Sequence, residues 1–102
     1  MAIKILQINF NYKVETAEYV ETVTPLAEDI ANVRGMQWKV WLLNEENKEA
    51  GGIYCFDNTE NLQAYLDGPI VAGVVAHPAL ENISAKVFDS IPSLTGITRG
   101  PV

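Results

Sequence analysis

Cysteine and histidine are almost missing from this chain: Cys55 and His77 are the only ones. A lone cysteine excludes an internal disulfide, and one histidine beside it cannot make a zinc site of the usual Cys/His spacing. Positive charge is also scarce. Seven Lys and Arg face thirteen Asp and Glu, a formal charge of −6. That balance lacks the basic footprint of non-specific nucleic-acid binding and opposes docking on anionic membranes. No apolar run reaches the roughly 18 residues of a membrane-spanning helix. Met1-Ala2-Ile3-Lys4-Ile5 has no basic segment leading into an apolar stretch with a cleavage site. A cytoplasmic location is the expectation. The glycines form neither GxGxxG nor GxxxxGK[ST], so no phosphate loop is expected.

What is present is a single domain of 102 residues, long enough to bury roughly two thirds of its unfolded surface. Its most informative stretch is Met36-Gln37-Trp38-Lys39-Val40-Trp41, followed by Glu49-Ala50-Gly51-Gly52-Ile53-Tyr54-Cys55-Phe56. A hairpin this rich in aromatic residues needs cover on both faces.

Residues 3–12 alternate with period two, the mark of a strand. Leu6, Ile8, Phe10 and Tyr12 share one parity; the amides Gln7, Asn9 and Asn11 share the other. Residues 16–34 read as a helix with Thr16 as N-cap, Gly35 as its stop and Arg34 as a helix-end charge. Its apolar stripe is Val20, Val23, Leu26, Ala27, Ile30 and Val33, and Pro25 is expected to kink or divide it. In strand 36–43, Met36, Trp38, Val40 and Leu42 are expected toward the helices, with Gln37, Lys39, Trp41 and Leu43 on the other face. A third strand covers 50–56, with Tyr54 and Phe56 opposite in parity to Cys55, which reads as a small core hydrophobe. Asp57-Asn58-Thr59-Glu60 starts a second helix, interrupted at Asp67-Gly68-Pro69. Residues 70–76 are expected to be helical or partly irregular, 83–89 a fourth strand and about 91–102 an irregular tail.

The order strand, helix, strand, strand, helix, strand is the ferredoxin-like βαββαβ arrangement, an α+β fold with a four-stranded antiparallel sheet and helices on one face. The other face, expected to carry Trp41, Leu43, Tyr54 and Phe56, asks for cover. A homodimer packed sheet to sheet supplies it.

Trp38-Lys39-Val40-Trp41, Glu49-Ala50-Gly51-Gly52-Ile53-Tyr54, Ala64-Tyr65-Leu66 and Ala85-Lys86-Val87-Phe88-Asp89 closely resemble the YdhR-type mono-oxygenases, and Pro25-Leu26-Ala27-Glu28 fits as well. The resemblance runs from about Ile5 to Asp89 and is weakest between Gly68 and Glu81. It implies a dimeric α+β barrel, with a pocket between sheet and helices in each subunit. Relatives in that superfamily include small oxygenases that oxidise quinols and polyphenols without metal or flavin, and haem-degrading enzymes. The implied activity is therefore a mono-oxygenase without cofactor, acting on a small aromatic, quinol-like molecule with O2. Two alternatives stand beside it: a non-catalytic dimer that binds a hydrophobic small molecule, and a haem-binding or haem-degrading protein whose axial ligand would be His77.

A cofactor-free oxygenase needs an apolar box, one base and a few hydrogen-bond donors. Asn9 and Gln7 are candidates on the first strand; haem-degrading relatives carry a ligand-contacting asparagine at a similar place. The same amides could instead satisfy each other or an interface backbone. Trp41, Tyr54 and Phe56 could form an aromatic wall or dimer core. The superfamily often has tryptophan at the position of Phe56, a departure that weakens the haem reading. His77 is a candidate base, since imidazole ordinarily titrates near neutrality; a loop histidine beside Pro78 is the plainer reading. Lys39 and Lys86 could each hold an anionic oxygen or pair with an interface carboxylate. Gly51-Gly52 marks a bulge or a close backbone approach. Glu45, Glu46 and Glu49 read as a solvated turn, and Ser84, Ser90 and Ser93 have no Ser-His-acid constellation around them.

Overall fold

The structure is a computed structural model and describes residues 3–102; Met1 and Ala2, on which the leader reading partly rests, lie outside them. The elements are β1 (Lys4–Tyr12), α1 (Thr16–Ala31), β2 (Met36–Asn44), β3 (Glu49–Phe56), α2 (Thr59–Leu66), α3 (Pro69–Ala76), β4 (Leu80–Asp89) and α4 (Pro92–Ile97). The four strands form one antiparallel sheet in the order β2-β3-β1-β4. This is the ferredoxin-like α+β arrangement that the element order implied.

The alternation in β1 decides which side is core. Leu6, Ile8, Phe10 and Tyr12 are buried against the helices together with Tyr19 and Ile30 of α1, Leu62 and Tyr65 of α2, and Ala50, Tyr54 and Phe56 of β3. Tyr12 stacks on Tyr19 with ring centroids 4.8 Å apart, and its hydroxyl lies 2.7 Å from Thr16 Oγ1. Thr16 is thus engaged with β1 and does not cap α1; the N-cap is Glu15, without a side-chain bond to the helix. Asn58 does cap α2, its side chain accepting from the Asn61 amide at 2.8 Å. α1 runs unbroken through Pro25 and ends at Ala31, earlier than expected; Gly35 follows in a turn with φ +82°. Of the expected stripe, Val23, Leu26 and Ile30 face inward, whereas Val20 and Ala27 are exposed and Tyr19 takes the inward place.

Strand β2 reverses the expected faces. Met36 pairs with Phe56, but the register shifts before Trp38, which pairs with Cys55. From there on Lys39 pairs with Tyr54 and Trp41 with Gly52, so both lie on the helix side with Leu6 and Ile8. Directly paired residues share a face. Trp38, Val40 and Leu42 therefore occupy the outer face, along with Ile53 and Cys55. The physical reason is the extra residue at Gln37: a bulge inverts the parity of everything after it. Tyr54 and Phe56 are likewise on the helix side, not the open one, and Phe56 has no exposed surface. Cys55 is buried and free, as expected of a small hydrophobe, but on the outer face.

β4 starts three residues earlier than expected and carries a second irregularity opposite β1 between Asn9 and Asn11. Within the stretch expected to be irregular, Pro92–Ile97 is a short helix with Ile91, Leu94 and Ile97 exposed around it. An ion pair joins Lys4 to Asp89, and another joins Lys13 to Glu81 at 3.6 Å.

Candidate active site

Between the sheet and the helices lies a cavity of about 620 Å³. Its floor is the helix face of the sheet, with Ile8 and Phe10 of β1, Lys39 and Trp41 of β2, Tyr54 of β3 and Ala85 of β4. Its walls are Tyr19, Val23, Leu26 and Ile30 of α1 and Tyr65 of α2; α3 covers it with Ile70, Val71 and Val74. α3 is apolar all round, yet none of its residues is fully buried. One side of it, Ile70, Val71 and Val74, faces the cavity, while Val75 is exposed. Polar groups are few: Lys39, His77, Thr22, Asp29 and the three tyrosine hydroxyls.

Four of the residues singled out in the sequence meet here: Lys39, Trp41, Tyr54 and His77. Gln7 and Asn9 do not. They lie on the outer face, where the Gln7 side-chain amide donates to Asn9 Oδ1 at 2.8 Å, and they border a smaller hollow that also holds Asn82, Ser84 and Lys86. Phe56 does not line the cavity but packs beneath it, its ring 5.6 Å from that of Tyr65. Tyr19 and Tyr65 were missed as site residues. Tyr19 falls outside the aliphatic stripe of α1, although its spacing to Val23 and Ile30 places it on their face.

Lys39 holds the most unusual position. Its Nζ sits 3.4 Å from the centre of the Trp41 ring and 4.5 Å from that of Tyr54. The side chain lies across Gly52, where an added Cβ would come within 2.4 Å of Lys39 Cε. Glycine at 52 is thus what makes room for the lysine. Among the described residues Lys39 makes no ion pair. Burial without a carboxylate lowers its pKa to about 7, while the two ring faces favour the ammonium.

Burial acts on the tyrosines in the opposite direction to their ionisation. It pushes Tyr19 up to about 12, with Tyr12 adding to the effect. Tyr54 and Tyr65 are raised as well, Tyr54 by burial first and by Tyr65 second. Tyr65 donates its hydroxyl to that of Tyr54 at 3.0 Å. All three stay neutral hydroxyls at physiological pH. His77 is fixed differently: its Nδ1 accepts the Ala79 amide at 3.1 Å. In the neutral ring the proton is then on Nε2, making that nitrogen a donor and not a free base.

A four-stranded antiparallel sheet with helices on one side and an apolar cavity between them defines the class: a ferredoxin-like α+β domain. The chain belongs to the family described as "Putative mono-oxygenase ydhR", whose model matches residues 5–101. No curated protein sequence matches it. Solved structures share the fold at low identity. A Shewanella oneidensis protein superposes with a TM-score of 0.73 at 8% identity, over 87% of this chain and 91% of that one. SnoaB, a cofactor-independent oxygenase from Streptomyces nogalater, gives 0.72 at 15% identity, over 88% and 94%. The haem-degrader MhuD from Mycobacterium tuberculosis gives 0.62 at 18% identity, over 85% and 95%. Among the described residues no helix is long and apolar enough to cross a membrane, and no group of His, Cys, Asp and Glu is placed to hold a metal ion.

Proposed function

We propose that this protein is a cofactor-independent mono-oxygenase that oxidises a small aromatic, quinol-like substrate with O2 in the cavity between sheet and helices. The observation that carries the reading is the cavity itself: a largely apolar chamber with a few polar groups, in a chain of a mono-oxygenase family. Such a chamber suits a flat, electron-rich molecule. The chemistry balances without a cofactor. A phenol or enol hydroxyl of the ring system loses its proton, and the anion, delocalised onto a ring carbon that bears hydrogen, passes one electron to O2. The radical pair then combines to a peroxide, which loses water to leave a carbonyl. One oxygen atom enters the product and the other leaves as water. The protein's part is to bind the ring against Trp41 and Tyr54 and to stabilise developing negative charge on oxygen. His77 Nε2–H is a donor suited to that task. Gln7 and Asn9 stand outside the cavity and have no role in this scheme.

Haem fits these residues poorly. An axial histidine must present a bare nitrogen to iron. With Nδ1 of His77 taken by the Ala79 amide, Nε2 carries the proton.

The test is oxygen consumption by metal-stripped protein against quinols and anthrone-like phenols, with no flavin or nicotinamide. The expected result is uptake above the protein-free rate and a product with one oxygen atom in place of two hydrogens. His77→Ala is expected to lower the rate about 100-fold. No uptake, together with thermal stabilisation by the same compounds, would make the protein a binder of such molecules and overturn the enzymatic reading.

A homodimer belongs to the same proposal. The outer sheet face exposes Val40 and Phe88, 51% and 46% accessible, beside Trp38, Leu42 and Ile53, and α4 with its N-cap Ile91 holds three apolar side chains in solvent. Sedimentation at micromolar concentration is expected to give twice the 11.2 kDa of one chain; a single species of one chain's mass would contradict it.

A further inference from the structure

We propose that Lys39 is the catalytic base of this site: its neutral amine takes the proton from an acidic hydroxyl of the bound aromatic, a phenol or enol, and the ammonium so formed holds the resulting oxyanion. The inference rests on the mono-oxygenase reading for the identity of the reaction but not for the binding chemistry. The step is a proton transfer. The substrate O–H bond breaks, its electron pair stays on oxygen, and the proton forms a new N–H bond with the lone pair of Nζ. A phenolate or enolate is the electron-rich form that can donate to O2.

Three features of the geometry converge on this role. Nζ is held at the cavity floor by two ring faces, at 3.4 and 4.5 Å, so the amine is positioned before substrate arrives. The floor beneath it is glycine, and a side chain there would collide with Lys39 Cε. No carboxylate pairs with it among the described residues, which leaves the charge uncompensated until an anion binds.

The other titratable groups around the cavity do not compete. Tyr54 on β3, Tyr19 on α1 and Tyr65 on α2 are pushed by burial toward the neutral hydroxyl. His77, after α3, has its acceptor nitrogen engaged by Ala79. Asp29 of α1 lines the cavity but makes no ion pair with Lys39. Lys39 itself has its pKa brought down by burial to about 7, so near neutral pH it is available both as amine and as ammonium.

The experiment is the ionisation of a bound phenol, read by the phenolate absorbance of 4-nitrophenol titrated with purified protein across pH. In the wild type the bound phenol is expected to ionise about 1–3 pH units below the free compound, the effect of an adjacent cation. Lys39→Met is expected to bind the phenol without that lowering. Lys39→Arg is expected to keep it, since guanidinium holds an anion, but to lose oxidation turnover because it cannot accept a proton. Wild-type protein that fails to bind the phenol, or binds it with no lowering, overturns the inference. So does Lys39→Met retaining the lowering. If Lys39→Met does not fold, the comparison of wild type with Lys39→Arg decides: equal turnover would exclude a base at this position. Oxygen uptake unaffected by Lys39→Met would leave the mono-oxygenase reading standing and remove Lys39 from it. Lowered phenol ionisation without any oxygen uptake would do the reverse.

Discussion

Gly51→Ala is expected to destabilise the protein by about 3–5 kcal/mol, enough to leave much of it unfolded at room temperature. Gly51 has φ +152°, a backbone region that side-chain-bearing residues rarely adopt. A Cβ at this position would lie 1.9 Å from the Ile8 carbonyl oxygen. Relief requires β3 to move away from β1, and these are the two central strands. The displacement would break ladder hydrogen bonds and open the core beneath Ile8 at once. Gly73 supplies the control. It lies within α3, and an added Cβ meets nothing within 4 Å. Gly73→Ala is expected to stabilise by about 0.5–1 kcal/mol, because alanine loses less entropy in a helix. Urea melts of the two variants against wild type measure both. Similar midpoints for all three would mean that the β1–β3 spacing tolerates the extra atom and that the close approach is not constraining.

The same pair of glycines illustrates what was legible in the sequence. Gly51-Gly52 read as a bulge or a close backbone approach; the structure shows an approach, and the neighbour at Gly51 is the chain's own β1, while Gly52 makes room for the Lys39 side chain. The period-two pattern separated an apolar parity of β1, Leu6, Ile8, Phe10 and Tyr12, from an amide one, and the structure buries the apolar parity against the helices. β2 carried no such clear contrast. Apolar residues occur on both parities from Met36 to Leu43, and the bulge at Gln37 exchanges the faces partway along. A bulge has no period, so alternation cannot reveal it. β3 was ambiguous for a related reason: Tyr54, Cys55 and Phe56 are all buried, so neither parity of the strand stands out as the solvent side.

The candidate site shows the same division. Trp41, Tyr54, Lys39 and His77 were picked for their chemistry, and the fold gathers them around one cavity. Gln7 and Asn9 were candidates as first-strand amides, beside the asparagine of haem-degrading relatives, whereas the cavity lies on the apolar side of β1. The position of Lys39 between two rings depends on a bulge, a glycine and a pair of strands in register. None of these can be read from the lysine itself. Its depressed pKa follows from that placement and from the lack of a partner, which only three dimensions supply.

Lys39→Met is expected to raise stability at pH 6 while abolishing the proposed proton transfer, and the gain is expected to shrink as pH rises. The sign follows from the two protonation states. In the folded protein Lys39 titrates near 7; in an unfolded chain a lysine titrates near about 10.4. Between these values the unfolded state binds more protons, so the wild type gains stability as pH rises through that window. Below pH 7 both states are protonated and the full cost of holding an ammonium in the cavity is present. Above about pH 10.5 that cost has gone. Methionine has similar length and no charge, so its advantage is greatest below pH 7 and disappears at the alkaline end. Lys39 keeps some contact with solvent, and the Trp41 and Tyr54 faces offset part of the penalty, so the gain at low pH is about 1–3 kcal/mol. Urea melts at pH 6 and pH 9 measure the difference. An equal effect at both values, or a loss at pH 6, would mean that the aromatic rings accommodate the ammonium fully and that burial does not govern the group. A bound phenolate reverses the balance. It gives the ammonium the partner that the empty cavity lacks, so the ligand is expected to stabilise the wild type more than Lys39→Met near neutral pH. A lysine that destabilises the free protein and is compensated by an anionic ligand is what a site kept for chemistry, at the expense of stability, would contain.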